Sequence, residues 1–229
     1  DGAYAMAHGH RGICSESEWG QIKRDLELVR QTGCSYHVSH ISTKESVDLI
    51  RKAKAEGLDV TTETGPHYLV MDDTMLREDG RFKMNPPLRS PEDREALVQG
   101  LLDGTIDMIA TDHAPHSEED KLKGMAGMVG SETAFGVCYT KLCKEEGLPL
   151  ELLVHLMSTR PAEILGLAKG QLEPGYDADF VLVDLDTPYT VDKDKLHSKS
   201  HNCPFDGAQL YGRVFATVKG GELTYQAEA

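Results

Sequence analysis

Basic side chains are scarce in this sequence. Its 24 lysines and arginines stand against 38 aspartates and glutamates, a net charge of −14 over 229 residues. So acidic a chain is not built to neutralise phosphate, so no nucleic-acid and no membrane partner is expected. Long apolar runs are also lacking: none approaches the roughly 18 residues of a membrane span, and no signal peptide is visible. The five cysteines (Cys14, Cys34, Cys138, Cys143, Cys203) show no Cys-x-x-Cys spacing. An odd, dispersed set argues against a disulfide frame or a zinc ribbon, and for reduced thiols in a cytoplasm. An initiating methionine is absent too. The chain opens abruptly at Asp1, and further sequence upstream is expected.

What is present is an ordinary globular composition, 39% hydrophobic and 27% charged, enough for one domain or one and a half. The most informative stretch is 106–116, IDMIATDHAPH. Ile106, Met108 and Ile109 form an apolar run of the kind that makes a buried strand. It stops at Thr111, Asp112, His113 and His116. An Asp and two His just past a buried strand is how a β/α barrel builds a site, where strands end and loops begin.

Upstream, residues 15–32 read as a helix, capped by Ser15 or Ser17 and stopped by Gly33, with Trp19, Ile22, Leu26 and Val29 at helical spacing. Residues 34–40 (CSYHVSH) read as a strand. Strict alternation would put Tyr36, Val38 and His40 on one face and turn His37 toward surrounding helices. Another helix follows to about Glu56, then a strand over 58–63. His67, in the loop after that strand, is either a ligand or, more simply, a loop histidine with a structural hydrogen bond. Residues 71–81 read as loop. In FKMNPPL (82–88) two prolines forbid helix and stiffen the backbone beside Asn85. That suits recognition of an amide-like ligand, or is a plain turn. A helix over 90–103 leads into the central strand. Alternating strands and helices predict a parallel sheet.

His8-Gly9-His10 has the form of a metal pair, but AYAMA before it is short for a strand, and a surface loop is the expectation. Residues 117–130 are polar, then rich in Gly and Met, a candidate lid. Helices are expected from Gly130 to about Glu146, over 148–157 and over 161–167. From Gly170 the pattern turns to short β runs, 179–185, 212–219 and 222–225. Such a tail is too small to stand alone as a sandwich. The expected domains are therefore 1–169 and 170–229.

His40 and Asp112 at strand ends suit a zinc-type hydrolytic site, but a catalytic zinc takes three protein ligands. The chain is short of ligands as it is short of strands.

Five stretches in order, HVSHISTKESVDLIRKAKAEG, KMNPPLRSPEDREAL, IDMIATDHAPH, GMVGSETAFG and GYDADFVLVDLD, together resemble the bacterial multi-zinc dihydroorotases of the amidohydrolase superfamily. The resemblance covers nearly the whole chain from about residue 12. It implies a (β/α)8 TIM-type barrel with a small β-sandwich. This chain would supply about strands six to eight, as residues 1–169, and the C-terminal share of the sandwich, as 170–229. It further implies two zinc ions in the complete enzyme. His40 would match the sixth-strand ligand and Asp112 the eighth-strand ligand. Asn85 and His116 would match substrate-binding positions, and Ala126 and Gly127 backbone contacts in the lid. The implied reaction is reversible hydrolysis of L-dihydroorotate to N-carbamoyl-L-aspartate in pyrimidine synthesis. Asp112 would take the proton of the attacking hydroxide and pass it to the leaving nitrogen. The implied partners are the small-molecule substrate and either a second copy or other enzymes of the pathway. Alternatives are another cyclic amidohydrolase, such as a hydantoinase or allantoinase, or a non-catalytic homologue. His67 and His8-Gly9-His10 match no metal ligand of the family.

Overall fold

The computed structural model describes residues 2–227. They divide into two compact units. The first takes in the chain up to Ser131 together with His197–Pro204; the second takes in Glu132–Leu196 and the chain from Phe205 onward. No helix among the described residues is long and apolar enough to cross a membrane.

The first unit is mixed α/β. Helix α1 (Ala3–His8) precedes α2 (Glu16–Thr32), β1 (Tyr36–Val38), α3 (Lys44–Ala55), β2 (Val60–Thr64), α4 (Pro66–Val70), α5 (Pro91–Leu102) and β3 (Met108–Ile109). The strands pair in parallel in the order β1-β2-β3, with Tyr36 opposite Val60 and Thr64 opposite Ile109. Helical periodicity accounts for the packed faces. Ile22, Leu26 and Val29 of α2 are buried, as are Val47, Ile50 and Ala53 of α3. Gly33 ends α2 in the left-handed conformation, where a Cβ would be strained. Ser90 and Asp93 close a capping box on α5, with Pro91 at its first turn.

Residues 8–10 are not a loop throughout. His8 ends α1 with its ring stacked on Tyr4, and His10 Nε2 lies 2.8 Å from Glu78 Oε1. Both are exposed.

The turn from β1 into α3 is locked by a residue whose role the sequence conceals. Glu18, on α2, accepts hydrogen bonds from the Ser42 and Thr43 amides at 2.9 and 3.1 Å and from the Ser42, Thr43 and Ser46 hydroxyls. One carboxylate thus occupies the N-terminal end of α3, where orphan N–H groups and the helix dipole favour negative charge. Glu18→Ala leaves those donors bare in a buried corner. It is expected to lower the stability of the chain by about 2–3 kcal/mol, read as a reduced denaturant midpoint. Glu18→Gln, which keeps one acceptor oxygen, should lose less. Equal midpoints for all three proteins would show that the corner does not depend on this carboxylate.

In the second unit α7 (Ala134–Cys138) runs on through a π-helical turn to Glu145. It is followed by α8 (Leu150–Val154) and α9 (Arg160–Ile164), numbered after α6 (Glu118–Leu122) of the first unit. Leu142, Leu153 and Leu156 are buried. Strands β4 (Phe180–Asp184), β7 (Arg213–Lys219) and β8 (Glu222–Gln226) form an antiparallel sheet in the order β4-β7-β8, and β5 (Tyr189–Thr190) pairs with β6 (Gln209–Leu210). Gly220 and Gly221, both at positive φ, make the tight turn between β7 and β8. By compactness the first of the two units runs to Ser131 and the second begins at Glu132. Helical residues such as Thr140 hydrogen-bond the β segment at Tyr211, inside one unit.

Candidate active site

The C-terminal ends of the three parallel strands lie side by side, and each delivers a titratable residue. His40 follows β1, His67 follows β2 in α4, and Asp112 follows β3. Among the described residues, His40 and Asp112 are the non-glycine residues at positive φ, 39° and 47°. His and Asp tolerate this region better than most residues, but at a cost of order 1 kcal/mol. Such strain persists only where surrounding structure imposes it, and it concentrates at functional sites. Backbone bonds anchor the chain nearby: the Ile41 amide donates to Glu63 O and the Ala110 amide to Thr64 O, both at 3.0 Å.

Desolvation pushes the Asp112 carboxyl above the usual range although the residue is exposed. The His40 imidazole works against that rise and the Glu63 carboxylate adds to it. Glu63, at the end of β2, is thus a further acid near Asp112, and its strand-end position is the signal that marks it in the sequence.

His37 does not turn toward the helices as strict alternation had predicted. Its Nδ1 lies 2.7 Å from Thr61 Oγ1 and its Nε2 3.3 Å from Glu63 Oε2. It shares the half-buried face of Thr61 and Glu63, opposite buried Val60, Thr62 and Thr64. Helix α2 packs on the other face of β1, where the Tyr36 hydroxyl donates to Asp25. Alternation itself holds in β1, with Tyr36 and Val38 on one face and His37 on the other, but it is the Tyr36 face that α2 covers, which leaves His37 on the face of Thr61 and Glu63. Past the end of β1 at Val38, the left-handed His40 lines the same cleft as Tyr36 and Val38.

His67 departs from expectation as well. It is 1% exposed, and neither ring nitrogen finds a hydrogen-bond partner among the described residues. Burial, and then His40, push its pKa down to about 3, so the ring is neutral. It packs on Tyr68 with ring centroids 4.0 Å apart and against Gly65, where an added Cβ would lie 2.6 Å from the ring.

Asn85 is exposed beside buried Pro86, whose carbonyl accepts from the Tyr68 hydroxyl at 2.6 Å. His40 and Asn85 share the wall of a cleft of about 420 Å³ with Ser39, Pro86, Arg89 and Glu18. Asp112, His116, Ala126 and Gly127 do not line it. His116 and Gly127 meet elsewhere: a Cβ on Gly127 would lie 3.0 Å from His116 Nε2 and 2.6 Å from Ala114 Cβ. At its φ of 132° this position takes glycine. Ala126 is its half-buried neighbour.

As donor types, the His40 imidazole and the Asp112 carboxylate suit zinc. They are two, and among the described residues no group of three or more His, Cys, Asp or Glu side chains is placed to hold a metal ion. The chain therefore fits part of a metal centre.

The chain matches the amidohydrolase family over residues 2–224. It is 49% identical to a dihydroorotase of Bacillus licheniformis and 47% identical to one of Bacillus subtilis, in each case over 99% of this chain and 54% of the relative. The chain thus spans about half the length of the curated relatives it matches. Among solved structures it resembles an L-hydantoinase (dihydropyrimidinase) from Arthrobacter aurescens, with a TM-score of 0.86, 34% identity, and coverage of 91% of this chain and 48% of that one. It also resembles a dihydropyrimidinase from Brevibacillus agri, with a TM-score of 0.88, 25% identity, and coverage of 97% and 53%. With mixed α/β architecture, strand-end acid and imidazole, and a family match along almost its whole length, this chain belongs to the amidohydrolase family.

Proposed function

We propose that this chain is the C-terminal portion of a dihydroorotase, which hydrolyses the cyclic amide of L-dihydroorotate reversibly to N-carbamoyl-L-aspartate in cytoplasmic pyrimidine synthesis. The observation that carries the reading is the position of His40 and Asp112, both held left-handed past the ends of the two parallel strands that flank β2, in a chain 47–49% identical to named dihydroorotases. Residues 1–169 would form about strands six to eight of a (β/α)8 barrel, and 170–229 the β-sandwich share.

His40 and Asp112 would hold zinc, two ions being expected once the remaining ligands are supplied. The metal would polarise the ring carbonyl and favour deprotonated water. The chain's own residues would do the rest. Asp112 accepts a proton from the attacking water and returns it to the ring nitrogen as the C–N bond breaks. Asn85, on its rigid proline-flanked backbone, offers an amide to the substrate's ureide. His116 and the Ala126–Gly127 backbone orient it from the lid. Association as a homodimer, or with other enzymes of the pathway, completes the proposal.

The 34% identity to an L-hydantoinase favours one second reading, a related cyclic amidohydrolase. A substrate panel on the complete protein separates the two. Dihydroorotate should be turned over at least tenfold better than hydantoin, dihydrouracil or allantoin, and the reverse order would install the second reading. In the same protein His40→Ala should lower bound zinc, whereas His37→Ala, which loses a pairing with Glu63, should retain most of it. Metal lost from the His37 variant and kept by the His40 variant would exchange the two assignments.

A further inference from the structure

The segment His197–Pro204 belongs to the first unit, though it follows strands of the second in sequence. Two of its residues are almost fully buried, Ser200 at 5% and Asn202 at 6% exposure. Neither carries chemistry of its own in the reaction above. Their hydrogen bonds go to the loop that bears His116 and Gly127.

The Ser200 hydroxyl donates to the His116 carbonyl at 2.6 Å, across 84 positions of sequence. The Asn202 amide nitrogen donates to the Gly127 carbonyl at 3.0 Å and to the Ala114 carbonyl at 3.4 Å, so one side chain ties both limbs of the loop. The Ser200 hydroxyl also contacts Asn202 Oδ1, and the Val129 amide donates to the Asn202 carbonyl at 3.3 Å. The far side of the loop is fastened as well. Lys121 Nζ donates to the Gly127 carbonyl at 2.7 Å, and the Gly127 amide to the Lys83 carbonyl at 2.9 Å. Gly127 in turn sits directly against the His116 ring. Fixing the two carbonyls therefore fixes where the imidazole stands and where the Gly127 backbone points.

We propose that Ser200 and Asn202 are positioning residues of the substrate site, a clasp that holds the lid limbs so that His116 and Gly127 meet the ligand in a set geometry. The proposal rests on the dihydroorotase reading for the identity of that ligand. Binding to a preordered loop avoids the ordering cost that a loose loop would charge against affinity. Loss of the clasp should therefore weaken substrate binding before it slows the proton transfer at Asp112.

Two measurements test it. In the 229-residue chain, hydrogen exchange is followed at the Ala114 amide, bonded to Met128 O, and the Gly127 amide, bonded to Lys83 O. The Ile41 and Ala110 amides beside the sheet serve as controls. Asn202→Ala should speed exchange at the first pair roughly tenfold and leave the controls unchanged. In the complete enzyme the same variant should raise KM for dihydroorotate roughly tenfold, with kcat within about threefold and zinc content unchanged. Ser200→Ala should behave likewise and Ser200→Thr, which keeps the hydroxyl, should restore KM. If Asn202→Ala fails to fold, Asn202→Asp keeps the volume but cannot donate to the two carbonyls, and should show the same pattern. Unchanged exchange at Ala114 and Gly127, an unchanged KM, or a loss confined to kcat and zinc would each overturn the clasp. If the wild-type enzyme ignores dihydroorotate, the functional reading falls, and the exchange comparison still decides whether the loop is clasped.

Discussion

Asp112→Asn in the complete enzyme is expected to remove roughly 10²–10⁴-fold from kcat while the protein stays folded. The size follows from the role. An amide keeps the shape of the carboxylate and can still face a ligand, but it cannot accept the proton of the attacking water. The fold should survive because of the backbone. Asp112 sits at φ 47°, and asparagine is among the side chains that visit the left-handed region most readily. Asp112→Ala is the contrasting variant. It adds backbone strain to the chemical loss and should lower the unfolding midpoint as well as the rate. Steady-state kinetics with zinc content, beside a thermal melt, separate the two effects. A near-normal kcat in a zinc-loaded Asp112→Asn enzyme would remove Asp112 as proton carrier and leave the proton to Glu63, the other acid near the strand ends.

The 229-residue chain by itself, purified and supplied with zinc, should not turn over dihydroorotate. Catalytic zinc sites take three protein ligands, and among the described residues no group of three or more His, Cys, Asp or Glu side chains is placed to hold a metal ion. Without a complete site the rate should fall to near the uncatalysed level, a loss of roughly 10⁶-fold or more. The chain should also bind zinc only weakly in equilibrium dialysis. Turnover above trace level that scales with chain concentration, and that a chelator abolishes, would show that this chain assembles a full site by itself, from its own residues or from a second copy.

Local sequence rules settled much of this protein. Apolar spacing in 16–32 and 44–55 fixed two helices, because buried faces recur with the helical period. Gly33 fixed the end of the first and Ser90 with Pro91 the start of α5, through backbone chemistry that acts within a few residues. The strand-helix alternation gave the parallel sheet, and the apolar run from Ile106 gave its third strand. What the sequence could not supply was orientation at strand ends and partnership across long separations. Alternation put His37 opposite Tyr36 and Val38, but only the packing of α2 decided that the Tyr36 face is the covered one and that His37 faces Glu63. Whether His67 has a partner depended on what surrounds it, and among the described residues neither ring nitrogen finds one. Glu18 on Ser42, and Asn202 on Gly127, join residues 24 and 75 positions apart. No period or motif announces such contacts, because they exist only once packing has brought separate elements together, and in that packing the tertiary structure placed the supports of the site.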